Sequence, residues 1–123
     1  MEPLHPIRIL TVCTGNICRS PVAERLLQAG LDQVQPGAFE VRSAGTHAMV
    51  GDPIQPPSAD MIRTYGGTPD GFAARQLTPK MLRESDLVLA MTAVDRIVLM
   101  HWLNSRCPAG APVLDASPAF RIS

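Results

Sequence analysis

Residues 9–27, ILTVCTGNICRSPVAERLL, join a continuous apolar run to an amphipathic run through a short polar loop. Every position from Ile7 to Val12 except Arg8 is apolar or β-branched, which is the pattern of a strand covered on both faces of its sheet. Ser20 and Pro21 predict the start of a helix, with the serine as its cap, and Gly30 predicts its end. A buried strand followed at once by a helix indicates a parallel sheet with helical crossovers.

The rest of the chain repeats this alternation of strand and helix. Further strands are predicted at 39–43, at 86–91 and in the segment APVLDA, and further helices begin near Pro56, Thr78 and Thr92. A length of 123 residues is typical of one domain. We therefore expect a small doubly wound α/β domain with a four-stranded parallel sheet and helices on both faces.

The composition argues against several classes of protein. With 11 Lys+Arg, 11 Asp+Glu and only 4 % aromatic residues, the chain lacks the charge and the stacking groups of a nucleic-acid-binding protein. No apolar run reaches the ~20 residues of a membrane span, and the N-terminus lacks a signal-peptide pattern. Three cysteines do not form a disulfide framework. We therefore expect a cytoplasmic protein with no nucleic-acid or membrane partner.

The chemistry concentrates where the first strand ends. Ligands of parallel sheets bind beyond the carboxyl ends of the strands, which is where Cys13 is predicted to lie. The loop from Thr14 to Cys18 leads to a helix N-terminus, whose free N–H groups and dipole attract anions. Arg19 can add a planar fork for two oxygens of a phosphate-like group, and the same positive field favours the thiolate. The pattern predicts a nucleophilic cysteine beneath a phosphate-binding loop. Because Cys13 and Cys18 do not have zinc-finger spacing, we expect no metal.

Four motifs give the chain a resemblance to a known family. VCTGNICRSPVAE, SAGTHA, ARQLT and DLVLAMT together resemble the low-molecular-weight protein tyrosine phosphatases, which share their fold with thiol-dependent arsenate reductases. The resemblance extends from about Ile7 to Val98. It implies phosphomonoester hydrolysis without a cofactor, on a phosphorylated protein or a small aryl phosphate, with inorganic phosphate or a similar oxyanion as a ligand.

The resemblance also implies roles for individual residues. Cys13 would be the nucleophile, and Arg19 would bind the phosphoryl oxygens with the loop N–H groups. Asn16 would hold the loop in a strained shape, with Ser43 as its partner, and Ser20 would hydrogen-bond the Cys13 sulfur. The residues of the phosphate-binding loop would be Thr14, Gly15, Asn16, Ile17 and Cys18. Cys18 would in addition trap an oxidised Cys13 as a reversible disulfide.

The chain departs from the family pattern near its C-terminus. The family's general acid is an aspartate followed by proline in that region, whereas Asp52-Pro53 lies too early and Ser117-Pro118 has a serine at the acid position. Asp115 is the remaining candidate, although no proline follows it. We expect residues 104–123 to be a divergent and truncated form of the family's C-terminal part. Met49 stands in the loop where many members carry an aromatic residue that stacks on phosphotyrosine.

These features predict a cysteine-dependent phosphatase whose activity is weak because the acid is missing. One alternative is arsenate reduction, in which Cys18 or Cys107 would resolve an adduct on Cys13. The other is a non-catalytic domain that binds oxyanions or senses redox state. Without a closing helix, an apolar face of the sheet would be uncovered, and a homodimer would hide it.

Overall fold

The computed structural model describes residues 5–106 and 112–116, with the backbone alone for residues 102–106. Cys107, Ser117 and Pro118 lie outside these ranges. The elements in chain order are β1 (Ile7–Cys13), α1 (Arg19–Val34), β2 (Phe39–Gly45), α2 (Pro56–Thr64), α3 (Pro79–Glu84), β3 (Leu87–Ala90), α4 (Ala93–Arg106) and β4 (Val113–Asp115).

The four strands form one parallel sheet in the order β2-β1-β3-β4. The predicted α/β class, the four strands and their parallel direction are therefore confirmed. From β1 the chain crosses to β2 on one side, and β3 then pairs with the other side of β1. This reversal makes the carboxyl ends of β1 and β3 the switch point where parallel sheets bind ligands.

The helices cover the two faces of the sheet separately. Leu10 and Val12 of β1 share a buried cluster with Leu82 of α3 and Leu99 of α4. Cys13 points to the opposite face, where it clusters with Ala23 of α1. This alternation follows from the period of two along a strand, and it turns the Cys13 side chain toward the start of α1.

Two predicted boundaries of α1 are wrong. The helix begins at Arg19 with Cys18 as its cap residue, so Ser20 lies inside the first turn and its hydroxyl is used elsewhere. The helix also continues through Gly30 to Val34. Gly30 is exposed there, and a Cβ at this position would meet no atom within 4 Å, so neither packing nor backbone geometry requires the helix to stop.

Within the described residues, no helix combines the length and the apolar character needed to cross a membrane.

Candidate active site

Cys13 is the last residue of β1, and its side chain is almost completely buried. The backbone N–H of Asn16 donates to the Cys13 sulfur at 3.3 Å. The Ser20 hydroxyl lies 2.9 Å from the same sulfur. Because the Ser20 oxygen already accepts from the Asn16 amide at 2.9 Å, its own proton is free to be donated to the sulfur. Two donors thus converge on this atom, an arrangement that suits a thiolate.

Asn16 has a backbone φ of 58°, in the left-handed region that non-glycine residues rarely adopt. Its side chain is fully buried and bonded at both ends. The amide nitrogen donates to Ser20, and the carbonyl oxygen accepts from the backbone N–H of Arg75 at 2.8 Å. These two bonds stabilise a conformation that would otherwise cost of order 1–3 kcal/mol.

The partner predicted for Asn16 is different in the structure. Ser43 is buried, but its hydroxyl donates to Glu24 of α1 at 2.9 Å, while Asn16 bonds to Ser20 and Arg75. Glu24 is also paired with the guanidinium of Arg25 at 2.8 Å. Ser43 therefore ties β2 to α1 beside the site, and it does not form the hydrogen bond to Asn16 that the resemblance implies.

Residues 14–18, the β1–α1 loop, pack against residues 46–55, which we call the 46–55 segment. Backbone N–H groups of this segment donate to the carbonyl groups of the loop and of Cys13: Thr46 to Cys13 at 3.0 Å, His47 to Thr14 at 2.9 Å, Met49 to Gly15 at 3.0 Å and Gln55 to Ile17 at 2.9 Å. In a trans peptide the C=O and the following N–H point in opposite directions. The N–H groups that follow these carbonyls therefore face away from the 46–55 segment, as the N–H of Asn16 shows by pointing at the Cys13 sulfur.

Gly45 permits this close approach. It pairs with Cys13 at the end of β2, and a Cβ at Gly45 would lie 2.5 Å from the carbonyl oxygen of Thr14. Neither this glycine nor the donors of the 46–55 segment were predicted as site residues. The signal for Gly45 was its place in SAGT directly after a strand, whereas backbone donors leave no signal in a sequence.

Arg19 opens α1 and is partly buried. Cys18, the cap residue, makes no side-chain cap bond, so the N–H groups of the first turn keep their capacity to bind an anion. Among residues 5–106 and 112–116, no acidic side chain forms an ion pair with Arg19, whereas Arg8, Arg25, Arg42, Arg63 and Arg75 each face a carboxylate. A partly buried guanidinium beside a helix N-terminus can bind an oxyanion by donating hydrogen bonds to it.

Cys18 is a free thiol on the same loop, partly buried. The buried hydroxyl of Ser58 donates to its sulfur at 3.3 Å. Ile17 packs on the apolar cluster between α1 and α2, and Met49 lies exposed beside Gly15 at the rim.

The structure does not bring Asp115 to Cys13. Asp115 aligns with Ala90 of β3, which in turn aligns with Val12, so two strand spacings, roughly 10 Å, separate Asp115 from β1. By the same register the Asp115 side chain shares the face of Val12, opposite to that of Cys13. Asp52 is exposed in the 46–55 segment. The geometry thus does not place Asp115 as a general acid for a group bound at Cys13.

In the part of the chain that the structure describes, no three His, Cys, Asp or Glu side chains are grouped so as to hold a metal ion.

Comparison with known proteins identifies similar chains. The model of the family described as low molecular weight phosphotyrosine protein phosphatase matches residues 8–103. Low molecular weight protein-tyrosine-phosphatase Etp of Escherichia coli (strain K12) is 49 % identical over 83 residues, which are 68 % of this chain and 53 % of Etp. The chain spans about half the length of the curated relatives it matches.

Solved structures agree with this result. YfkJ from Bacillus subtilis superposes with a TM-score of 0.83 at 27 % identity, covering 99 % of this chain and 77 % of YfkJ. The tyrosine phosphatase AmsI of Erwinia amylovora superposes with a TM-score of 0.75 at 33 % identity, covering 94 % of this chain and 71 % of AmsI.

Proposed function

The chain belongs to the low molecular weight phosphotyrosine protein phosphatase family, and on this basis we propose that it hydrolyses phosphomonoesters through a phosphocysteine on Cys13. One observation carries the proposal: the Cys13 sulfur accepts from the Asn16 N–H and the Ser20 hydroxyl inside a loop that turns three of its carbonyl groups toward the 46–55 segment. The family match favours hydrolysis over thiol-dependent arsenate reduction.

The reaction would proceed in two displacements that use protein groups alone. Arg19 and the N–H groups of the β1–α1 loop would hold the phosphoryl oxygens. The Cys13 thiolate would form the S–P bond while the P–O bond to the leaving group breaks. Water would then attack phosphorus and break the S–P bond, which releases phosphate and restores the thiolate. The Ser20 hydroxyl, 2.9 Å from the sulfur, would stabilise the departing thiolate in this second step.

The leaving group requires a proton, and among the described residues the predicted acid, Asp115, is not placed to supply it. A positioned acid contributes typically about 10²–10⁴-fold, and Asp115 lies on the other face of the sheet. We therefore expect weak hydrolysis of phosphotyrosine and better relative hydrolysis of aryl phosphates with good leaving groups. The exposed side chains of Met49 and Val50 beside the loop would offer an apolar rim to an aromatic ring.

Hydrolysis of p-nitrophenyl phosphate across pH tests the proposal, because this leaving group needs little help from an acid. We expect turnover by the wild type, none by Cys13→Ser, and unchanged turnover by Cys107→Ser as the thiol-matched control. We also expect no falling alkaline limb of the kind that a general acid produces. Turnover that survives in Cys13→Ser would refute the mechanism. Phosphate binding without turnover would favour the oxyanion-binding alternative, and arsenate turnover with a thiol reductant would favour the reductase.

We propose a cytoplasmic location, since a catalytic Cys13 thiol next to a free Cys18 requires reducing conditions. We also propose that two copies associate. Ile7 and Leu114 are 45 % and 54 % exposed, and by register they share the α1 face of the sheet with Leu89. Light scattering that gives the mass of a single chain at micromolar concentration would exclude the dimer.

A further inference from the structure

A buried carboxylate lies behind the β1–α1 loop, on the side opposite to the 46–55 segment. Asp95 stands in the first turn of α4 and is only 1 % exposed. One carboxylate oxygen accepts from the Thr14 hydroxyl at 3.1 Å, and the other accepts from the Thr92 hydroxyl at 2.6 Å. The backbone N–H of Asp95 donates back to the Thr92 oxygen at 3.0 Å. Burial of a carboxylate is costly unless such bonds satisfy it, so its place beside the loop needs an explanation.

Thr14 is the first residue of the loop, and it is anchored from both sides. Its carbonyl oxygen accepts from the N–H of His47 in the 46–55 segment at 2.9 Å. Its side-chain hydroxyl donates to Asp95 in α4. The peptide that carries the Thr14 carbonyl also carries the N–H of Gly15, so the two anchors together fix the direction of that N–H group.

We propose that Asp95 is a positioning residue for oxyanion binding: through the Thr14 hydroxyl it holds the Thr14–Gly15 peptide with its N–H directed into the loop. The inference rests on the proposed function and extends it to α4, an element outside the Cys13–Arg19 motif. Asp95 acts through Thr14 and not on the substrate. Nor do we assign it the role of general acid, because both of its oxygens are engaged by hydroxyl groups of the protein, those of Thr14 and Thr92.

Paired substitutions test this assignment from both ends of the hydrogen bond. Asp95→Ala and Thr14→Val each remove the bond, and Thr14 is exposed, so the second variant does not endanger folding. We expect each to lower kcat/KM for p-nitrophenyl phosphate and to raise the Kd of inorganic phosphate by roughly tenfold, the effect of losing one hydrogen bond to a charged group. Because both remove the same contact, the double variant should lose no more than either single variant.

Conservative variants and a matched carboxylate complete the design. Asp95→Asn and Thr14→Ser keep an acceptor and a donor in place, and both should stay within about threefold of the wild type. Asp86→Ala removes a carboxylate that accepts from the backbone N–H of Arg8 at 2.8 Å, at the far end of β3, and should leave both constants unchanged. A merely structural role for Asp95 would lower the melting temperature without changing the Kd of phosphate.

Four results would overturn the inference. The first is an unchanged kcat/KM and an unchanged Kd of phosphate in Asp95→Ala, and the second is a double variant whose loss is the product of the two single losses. The third is a loss in Asp95→Asn as large as that in Asp95→Ala. The fourth is a loss of kcat/KM in Asp95→Ala that is much larger for phosphotyrosine than for p-nitrophenyl phosphate, which would indicate a proton donor. If the wild type hydrolyses p-nitrophenyl phosphate and Asp95→Ala has the same kcat/KM and the same Kd of phosphate, only this inference fails and the proposed function stands. If the wild type neither turns over nor binds phosphate, the proposed function fails with it.

Discussion

Adding one methyl group at Gly45 tests how the β1–α1 loop is held. A Cβ there would lie 2.5 Å from the Thr14 carbonyl oxygen and 3.1 Å from the Cα of Ala48. Gly45 cannot retreat, because its N–H donates to the Arg75 carbonyl at 2.9 Å and its carbonyl accepts from the Leu77 N–H at 2.8 Å. In Gly45→Ala the Thr14 carbonyl must therefore move.

The size of the movement sets the expected cost. Non-bonded heavy atoms settle roughly 3.5 Å apart, so the Thr14 oxygen must shift by about 1 Å, which is enough to break its 2.9 Å bond to the His47 N–H. Overpacking of about 1–3 kcal/mol and a lost hydrogen bond of about 1 kcal/mol together lower the free energy of unfolding by about 2–4 kcal/mol. The Gly15 N–H turns with the Thr14 carbonyl. Since complete loss of an oxyanion donor costs about 10²–10³ in kcat, we expect at least a tenfold fall in kcat/KM.

Gly30→Ala is the matched control, because the same methyl group enters open space on α1 with no atom within 4 Å. We expect it to raise the free energy of unfolding by about 0.5–1 kcal/mol and to leave kcat/KM unchanged. Urea unfolding and initial rates on p-nitrophenyl phosphate measure both quantities. A Gly45→Ala protein with the kcat/KM and the stability of Gly30→Ala would refute the view that outward-turned carbonyl groups shape the loop.

Two further experiments probe the loop itself. Asn16→Ala and Asn16→Gly both remove the side-chain bonds to Ser20 and to the Arg75 N–H, so both variants should lose most of the wild-type kcat/KM. Only glycine adopts a φ of 58° without strain, so in urea unfolding Asn16→Gly should be about 1 kcal/mol more stable than Asn16→Ala. Equal stabilities of the two variants would contradict this assignment of strain. Hydrogen peroxide should inactivate the wild type by oxidising Cys13 to a sulfenic acid, which Cys18 traps as a disulfide with loss of water, and dithiothreitol should then restore activity. In Cys18→Ala excess peroxide should oxidise the sulfenic acid further to the sulfinic acid, which dithiothreitol does not reduce. Equal recovery in the two proteins would exclude the protective disulfide.

The sequence predicted the features that depend on local pattern. Continuous apolar runs gave β1 and β3, and their alternation with helices gave the parallel direction that places Cys13 at the switch point. The start of α1 was wrong because Ser20 resembles a helix cap, while its hydroxyl in fact serves the Cys13 sulfur. A side chain with two plausible local uses is assigned only by the groups around it.

Contacts between distant parts of the chain could not be predicted from the sequence. The side-chain carbonyl of Asn16 accepts a hydrogen bond from the backbone N–H of Arg75, 59 positions away. A backbone donor leaves no residue-specific signal in the sequence. Ser43 was expected to hydrogen-bond to Asn16, but its hydroxyl donates to Glu24 of α1, because the side chains of Ser43 and Glu24 are buried on the same side of β2. Asp115 was a candidate only because it lies near the position where the resemblance expects the acid, and the register of β4 places its side chain on the face opposite to that of Cys13.

The motif and its surroundings therefore contribute different things to the site. In the proposed mechanism Cys13 supplies the reacting sulfur, and Ser20 and Arg19 supply side-chain donors around it; these residue types are visible in the sequence. The direction of the loop N–H groups comes from the 46–55 segment, from Gly45 and, on our proposal, from Asp95. A chain that kept the motif but lost these contacts would retain a cysteine and an arginine at the same spacing without the oriented donors that make them a site. For that reason Gly45→Ala, which leaves every residue from Cys13 to Ser20 in place, tests the contribution of these surroundings to the mechanism.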